Sequence, residues 1–212
     1  MTHLYLIRHA EYQFTPDERP YERGLTARGR EQAQRLATRL AAGDIPTDVL
    51  ISSTMTRARE TAAILAPALG RPAIEDADVE EWRNTDGHDL PWPDFLARFN
   101  AAAPDQRPFY FPVEGGETWA RFMVRACTAL NRIVQQHAGR TIAVVCHGGV
   151  IEASFHLFCG FSPLQFPAIG FAPAYTSITH WQRVAAQGRD LWVLERFNDT
   201  AHLRETGPGG GR

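Results

Sequence analysis

Two histidines in this chain each stand at the end of a short apolar run, where a buried strand has no packing use for a cationic side chain. The first run, Leu4-Tyr5-Leu6-Ile7, delivers Arg8 and His9 into a polar stretch. The second, Val144-Val145-Cys146, delivers His147 just before Gly148-Gly149. Arginine presents a planar fork of donors that matches phosphate oxygens. Neutral imidazole is a nucleophile near pH 7. Glycines let backbone approach a ligand, and the N-terminus of a helix behind them favours anions. Together these residue types fit a phosphate site. Taken singly, each reads equally well as a strand-end residue bonded to backbone or solvent.

The elements that must position them alternate along the chain. Leu4–Ile7 reads as the first strand. Thr26 is placed to cap a helix whose apolar positions Ala33, Leu36, Ala37 and Leu40 have helical spacing, and Gly43 ends it. Asp48–Ser52 reads as a strand. The helix after it carries Ala58, Thr61, Ala62, Leu65 and Leu69 on one face with Gly70 as its stop, and Arg71–Glu75 reads as a short third strand. Glu117–His137 is a helix with the core stripe Trp119, Phe122, Met123, Ala126, Leu130, Ile133 and Val134. Thr141–Cys146 is continuously apolar, as a centre strand covered on both faces should be. A helix follows from about Val150, then strands at Ser177–Trp181 and Leu191–Phe197.

This order predicts an α/β fold, a three-layer α/β/α sandwich around a mostly parallel central sheet. It is read as a single domain over residues 1–206. A loop-and-helix insertion at about 76–116 is rich in aromatics, from Trp82 to Phe111, and either packs them on itself or lids a substrate. The glycine-rich segment 207–212 is expected to be a disordered tail. Ligands in such folds sit beyond the carboxyl ends of the strands. If the first and fourth strands are parallel, His9 and His147 converge there although 138 positions separate them.

Composition narrows the function. A net charge of −2 gives no nucleic-acid or membrane surface, so neither partner is expected. All 22 basic residues are arginine, which removes lysine Schiff-base chemistry and a P-loop lysine. The 3 cysteines lack CxxC spacing and fit free thiols in a reducing compartment, hence a cytoplasmic protein. No apolar run reaches the roughly 18 residues of a membrane span. The start of the chain lacks a signal-peptide pattern.

The full set of motifs resembles the histidine phosphatase superfamily, the phosphoglycerate mutase-like family. LIRHAE at Leu6–Glu11 is similar to its first-histidine strand end, and GLTARGREQA at Gly24–Ala33 to its "LT..G..QA" helix start. SSTMTRARETA at Ser52–Ala62 resembles "S...RA..TA", VEE at Val79–Glu81 the acid-bearing "L.E" turn, and GGET at Gly115–Thr118 with Arg125 the "GES......R" pattern. VVCHGGVI at Val144–Ile151 is similar to the second-histidine strand, and Asn198-Asp199 with His202-Leu203 to a common ending.

The resemblance implies a metal-independent phosphatase that hydrolyses a small phosphomonoester, a phosphorylated metabolite, with no cofactor. His9 would attack phosphorus and carry a phosphohistidine. Arg8 and Arg57 would clamp the phosphate, and the match selects Arg57 over Arg59. His147 would stabilise charge on the phosphoryl group. Glu81 would be the general acid and base, selected over its neighbour Glu80 by register. The catalytic set is then Arg8, His9, Arg57, Glu81 and His147, the phosphate-binding set Arg8, His9, Arg57 and His147, with no metal ligand. Ala10 stands where the family has glycine, a methyl expected beside the phosphate. Two other readings stay open at this point: a phosphoglycerate mutase-type phosphotransferase, and a non-catalytic domain that binds phospho-ligands. The long insertions of the mutase branch are not recognisable, which favours the phosphatase. Oligomeric state is not readable.

Overall fold

The structure, a computed structural model, describes residues 1–13, 24–83, 92–111, 116–166, 168–186 and 188–204. The proline-bearing loop after the first strand and the tail at 207–212 lie outside the described residues. The strands are β1 (Thr2–Arg8), β2 (Val49–Ser52), β3 (Ala73–Glu75), β4 (Thr141–Cys146), β5 (Ile178–Ala186) and β6 (Arg189–Asp199). The helices are α1 (Ala27–Ala41), α2 (Thr56–Leu69), α3 (Trp92–Ala101), α4 (Trp119–Gln136) and α5 (Gly148–Cys159).

The strands form one sheet in the order β3-β2-β4-β1-β5-β6. β3, β2, β4 and β1 run parallel, and β5 and β6 add an antiparallel hairpin at one side. The continuous apolar runs of β1 and β4 have a simple cause, because successive side chains point to opposite faces and both faces are covered. Leu4, Leu6, Ile142 and Val144 pack with α4 and α5. Tyr5, Ile7, Ala143 and Val145 pack with α1 and α2 on the other side. The result is the three-layer sandwich with a mixed, mostly parallel sheet. β5 and β6 run longer than the apolar signal, since their far ends are exposed and need no alternation. α5 starts at Gly148, earlier than about Val150, because both glycines lie inside its first turn.

Local chemistry sets the ends of the helices. Thr26 caps α1 by accepting the Gly29 N–H, and Thr118 caps α4 by accepting that of Arg121. Gly70 ends α2 in the left-handed conformation at φ 62°. Within 76–116, Trp82 joins the core by packing on Trp119 and Phe122, whereas Phe109, Tyr110 and Phe111 are exposed. Among the described residues no helix is long and apolar enough to cross a membrane.

The start of α1 packs closely on the backbone of the loop after β1. A Cβ on Gly29 would lie 1.9 Å from the Glu11 carbonyl oxygen. Alanine gains about 1 kcal/mol over glycine in an open helix. Here the overlap is with main chain, and overpacking of this kind costs about 2–3 kcal/mol. The clash therefore outweighs the propensity. Gly29→Ala is expected to lower the melting temperature by about 5 °C, at about 2–4 °C per kcal/mol for this size. Calorimetry showing an unchanged or higher melting point would contradict this packing.

Candidate active site

The parallel pairing of β1 with β4 sets Arg8 opposite Cys146, so His9 and His147 leave the sheet side by side. Their ring centroids are 4.9 Å apart, and both are buried. β1 leads to α1 on one face and β4 leads to α5 on the other. The two histidines therefore sit at the switch point where an open α/β sheet presents a crevice.

His9 has a fixed tautomer. Its Nδ1 lies 2.8 Å from the Ala10 carbonyl oxygen, which can only accept. The proton is then on Nδ1 and the lone pair on Nε2. Arg57 Nε donates to that Nε2 at 3.2 Å. Arg57 is the second residue of α2, and its helical position turns it into the crevice while Arg59 pairs on the surface with Glu75 at 2.9 Å. Burial, then the Arg57 and Arg8 charges, hold the His9 pKa well below that of an ordinary histidine. Its imidazole is neutral at pH 7.

His147 is held by Ser53. The Ser53 hydroxyl oxygen accepts the Met55 N–H at 3.3 Å and lies 2.8 Å from His147 Nε2. A hydroxyl carries one hydrogen and two lone pairs, so this contact holds the ring in place with either tautomer of His147. His147 Nδ1 and Arg8 Nε are buried without a hydrogen-bond partner among the described residues. Burial and the Arg57 charge likewise press the His147 pKa well down. Arg8 Nη1 donates to the Pro173 carbonyl oxygen at 2.6 Å.

Glu81 reaches the same crevice from the loop before Trp82. Its Oε2 accepts the Gly149 N–H at 3.2 Å and its Oε1 the Trp82 N–H at 3.0 Å. The first of these is at the N-terminus of α5, where helix amides stabilise a carboxylate. A Cβ on Gly149 would sit 2.3 Å from Glu81 Oε1, so the glycine makes room for the acid. A Cβ on Gly148 would lie 3.8 Å from Arg8 Nε and 3.9 Å from Glu81 Oε2, so cation and carboxylate both lie beside that glycine. Glu80 points elsewhere, accepting from the Thr54 hydroxyl and from Arg83 Nε at 2.9 Å. Arg125 fixes the whole loop. It pairs with Glu117 through Nε and Nη2 at 2.9 and 2.8 Å and donates to the carbonyls of Asp78, Glu80 and Glu81.

The structure thus brings Arg8, His9, Arg57, Glu81 and His147 together. It adds residues the sequence did not single out. Ser53 opens the Ser-x-x-x-Arg-Ala pattern, so its signal was present but unused. Tyr12 and Tyr175 flank the His9 ring with centroids 5.3 and 5.6 Å away, and loop tyrosines carry no sequence signal for that. Glu152, one turn along α5 from Gly149, is pushed up to about 7 by burial and by Glu81. The Ala10 methyl is buried with Leu25 and Ala33. Among the described residues no cluster of three or more metal-ligating side chains occurs.

Comparison with known proteins places the chain in a family. The model of the histidine phosphatase superfamily, branch 1, matches residues 4–200. The chain is similar to phosphoglycerate mutase-like protein 4 of Arabidopsis thaliana, at 28% identity over 96% of this chain and 88% of that one. It is similar to the metal-independent phosphoserine phosphatase of the same plant, at 27% identity over 98% of this chain and 85% of the other. Among solved structures, YhfR of Bacillus stearothermophilus superposes with a TM-score of 0.76 and 26% identity, covering 96% of this chain and 100% of that one. This chain belongs to the histidine phosphatase superfamily.

Proposed function

We propose that the chain is a metal-independent phosphatase that hydrolyses a small phosphomonoester through a phosphohistidine on His9. The observation that carries this reading is the His9 tautomer. A proton held on Nδ1 leaves the Nε2 lone pair beside the Arg57 guanidinium, where a phosphate would bind. Nε2 attacks phosphorus as the bond to the leaving oxygen breaks. Glu81 gives that oxygen its proton. Water then attacks the phosphohistidine, Glu81 takes the proton back, and inorganic phosphate leaves with the imidazole restored.

Charge on the transferring group meets Arg8, Arg57 and the imidazole of His147, and each such donor is worth about a hundredfold in rate. Two guanidiniums fill the role a metal would have, so activity is expected to survive a chelator. The name of the Arabidopsis phosphoserine phosphatase supports a small phosphorylated metabolite as substrate. The free cysteines Cys127, Cys146 and Cys159 support a cytoplasmic setting. Val79 and Trp82 are packed in the main core, which supports one domain over 1–206 with 76–116 as its cover.

His9→Ala is expected to lower turnover by at least about a thousandfold and to abolish an acid-labile, base-stable phosphoryl label on the protein. A labelled protein that keeps its label in this variant would overturn the assignment, and label without release of free phosphate would mark a mutase. Glu81→Gln should slow alkyl phosphates by about 10²–10⁴ and p-nitrophenyl phosphate by less than about tenfold, since only the poor leaving group needs the proton. Equal losses on both substrates would remove Glu81 from that role. The pH profile supplies a further check. A nucleophile whose pKa lies well below 6.5 is lost only as pH falls through that lower value. On p-nitrophenyl phosphate, kcat/KM at pH 6 is expected within about twofold of its value at pH 7, whereas an ordinary histidine would lose about threefold.

A further inference from the structure

We propose that Tyr12 and Tyr175 are positioning residues that hold the two phosphate-binding guanidiniums by their ring faces. The proposal rests on the phosphatase reading for what the guanidiniums bind. The geometry is a matched pair of stacks. The Arg8 guanidinium carbon lies 4.3 Å from the centroid of the Tyr175 ring, and that of Arg57 lies 4.7 Å from the Tyr12 ring. Both distances are within the roughly 6 Å over which a cation is attracted to an aromatic face. The two tyrosines meet each other edge-on at 6.4 Å, and each also touches His9. Nucleophile, clamps and rings form one contiguous cluster.

A ring face does something a carboxylate cannot. A carboxylate would orient a guanidinium by taking its edge donors and cancelling its charge. A phosphate needs those same donors and that charge. A ring holds the plane from one face and leaves the edge N–H groups to the ligand. Arg8 fits this description. One nitrogen is tied to the Pro173 carbonyl, and buried Nε has no hydrogen-bond partner among the described residues. Burial also raises the Tyr175 pKa, so the phenol stays neutral.

The second line of support is backbone strain beside Tyr175. Thr176 has φ 57°, in the left-handed region that a β-branched residue enters only when its surroundings force it. Those surroundings are visible. The Thr176 N–H is bonded to the Arg8 carbonyl at 3.0 Å. Its hydroxyl donates to the Tyr175 carbonyl at 2.7 Å and lies 2.9 Å from His202 Nε2. The Ala174 N–H goes to Asn198 Oδ1 at 2.7 Å, and Asn198 is itself left-handed at φ 56°. The fold maintains an unfavourable conformation that sets Tyr175 over Arg8. The Asn198 and His202 motifs of the C-terminal segment are explained by the same contact.

The test separates ring face from hydroxyl and from bulk. The probe is inorganic phosphate, read as its inhibition constant against p-nitrophenyl phosphate, with a melting curve on each variant. Tyr175→Leu keeps bulk and loses the aromatic face, and should raise the constant about five- to tenfold. Tyr175→Phe should recover most of that loss. Tyr12→Leu and Tyr12→Phe should behave alike, and they carry the test if Tyr175→Leu does not fold. Folded leucine variants that bind phosphate like the parent would overturn the proposal, and so would phenylalanine variants as weak as the leucine ones. A parent protein that does not bind phosphate at all would instead overturn the phosphatase reading.

Discussion

The parallel pairing of β1 with β4 is the contact on which the crevice depends. Adjacent strands lie about 4.8 Å apart, and the two imidazole centroids are 4.9 Å apart. The spacing of the histidines is therefore the spacing of the sheet. The His9 N–H donates to the Cys146 carbonyl at 2.9 Å, which extends the ladder by one bond into the site. A one-residue slip would send every side chain of β1 to the wrong face. Leu4 and Leu6 packed on one side, with Tyr5 and Ile7 on the other, pin the register against that slip. Core packing and histidine placement are in this sense a single constraint.

Most of the remaining signature residues serve backbone groups near the crevice. After His9 the chain leaves the sheet, and its N–H groups need partners. Ala10 donates to Thr61 Oγ1, and Glu11 donates to Gln32 Oε1, both at 3.0 Å. The Thr26 hydroxyl bonds the Glu11 carboxylate at 2.8 Å, and Leu25 donates to Glu60 Oε2 at the same distance. Gly29 lets α1 close on the Glu11 carbonyl. Arg125 performs the matching service for the loop that bears Glu81. Precise placement of few reacting groups requires many fixed neighbours, since a displacement of about 1 Å can cost a hundredfold in rate.

That division explains what the sequence disclosed. β1, β4, α1, α2 and α4 follow from apolar period, threonine caps and glycine stops, all of them local signals. The convergence of His9 and His147 follows from strand order alone, because parallel strands present the same end. The choices of Arg57 over Arg59 and Glu81 over Glu80 were made by pattern. The structure supplies their physical basis in helix phase and in the hydrogen bonds that tie Glu80 to Thr54 and Arg83. Tyr175 stayed hidden because its place depends on the left-handed Thr176 and on Asn198, some two dozen residues away. Glu152 stayed hidden because its titration depends on burial, which no pattern encodes. His3 and His180 had no role to read, and they form a ladder in which His180 stacks on Tyr5 at 4.0 Å.

Electrostatics then divides labour among similar groups. Two imidazoles beside two guanidiniums cannot also carry charge, and burial together with those cations keeps both neutral. Neutrality gives His9 its lone pair and leaves His147 with one N–H, on a ring that Ser53 holds in place. The Glu81 carboxylate lies against the amide end of α5, where an anion is favoured. A direct salt bridge between Glu81 and Arg8 would have satisfied both groups and closed the crevice to an anion. A side chain at position 149 would overlap the acid. Leaving a cation and a nearby anion unpaired forgoes an ion pair's attraction in a low-dielectric site, and in the mechanism proposed above it is what frees the cation for phosphate and the carboxyl for the proton.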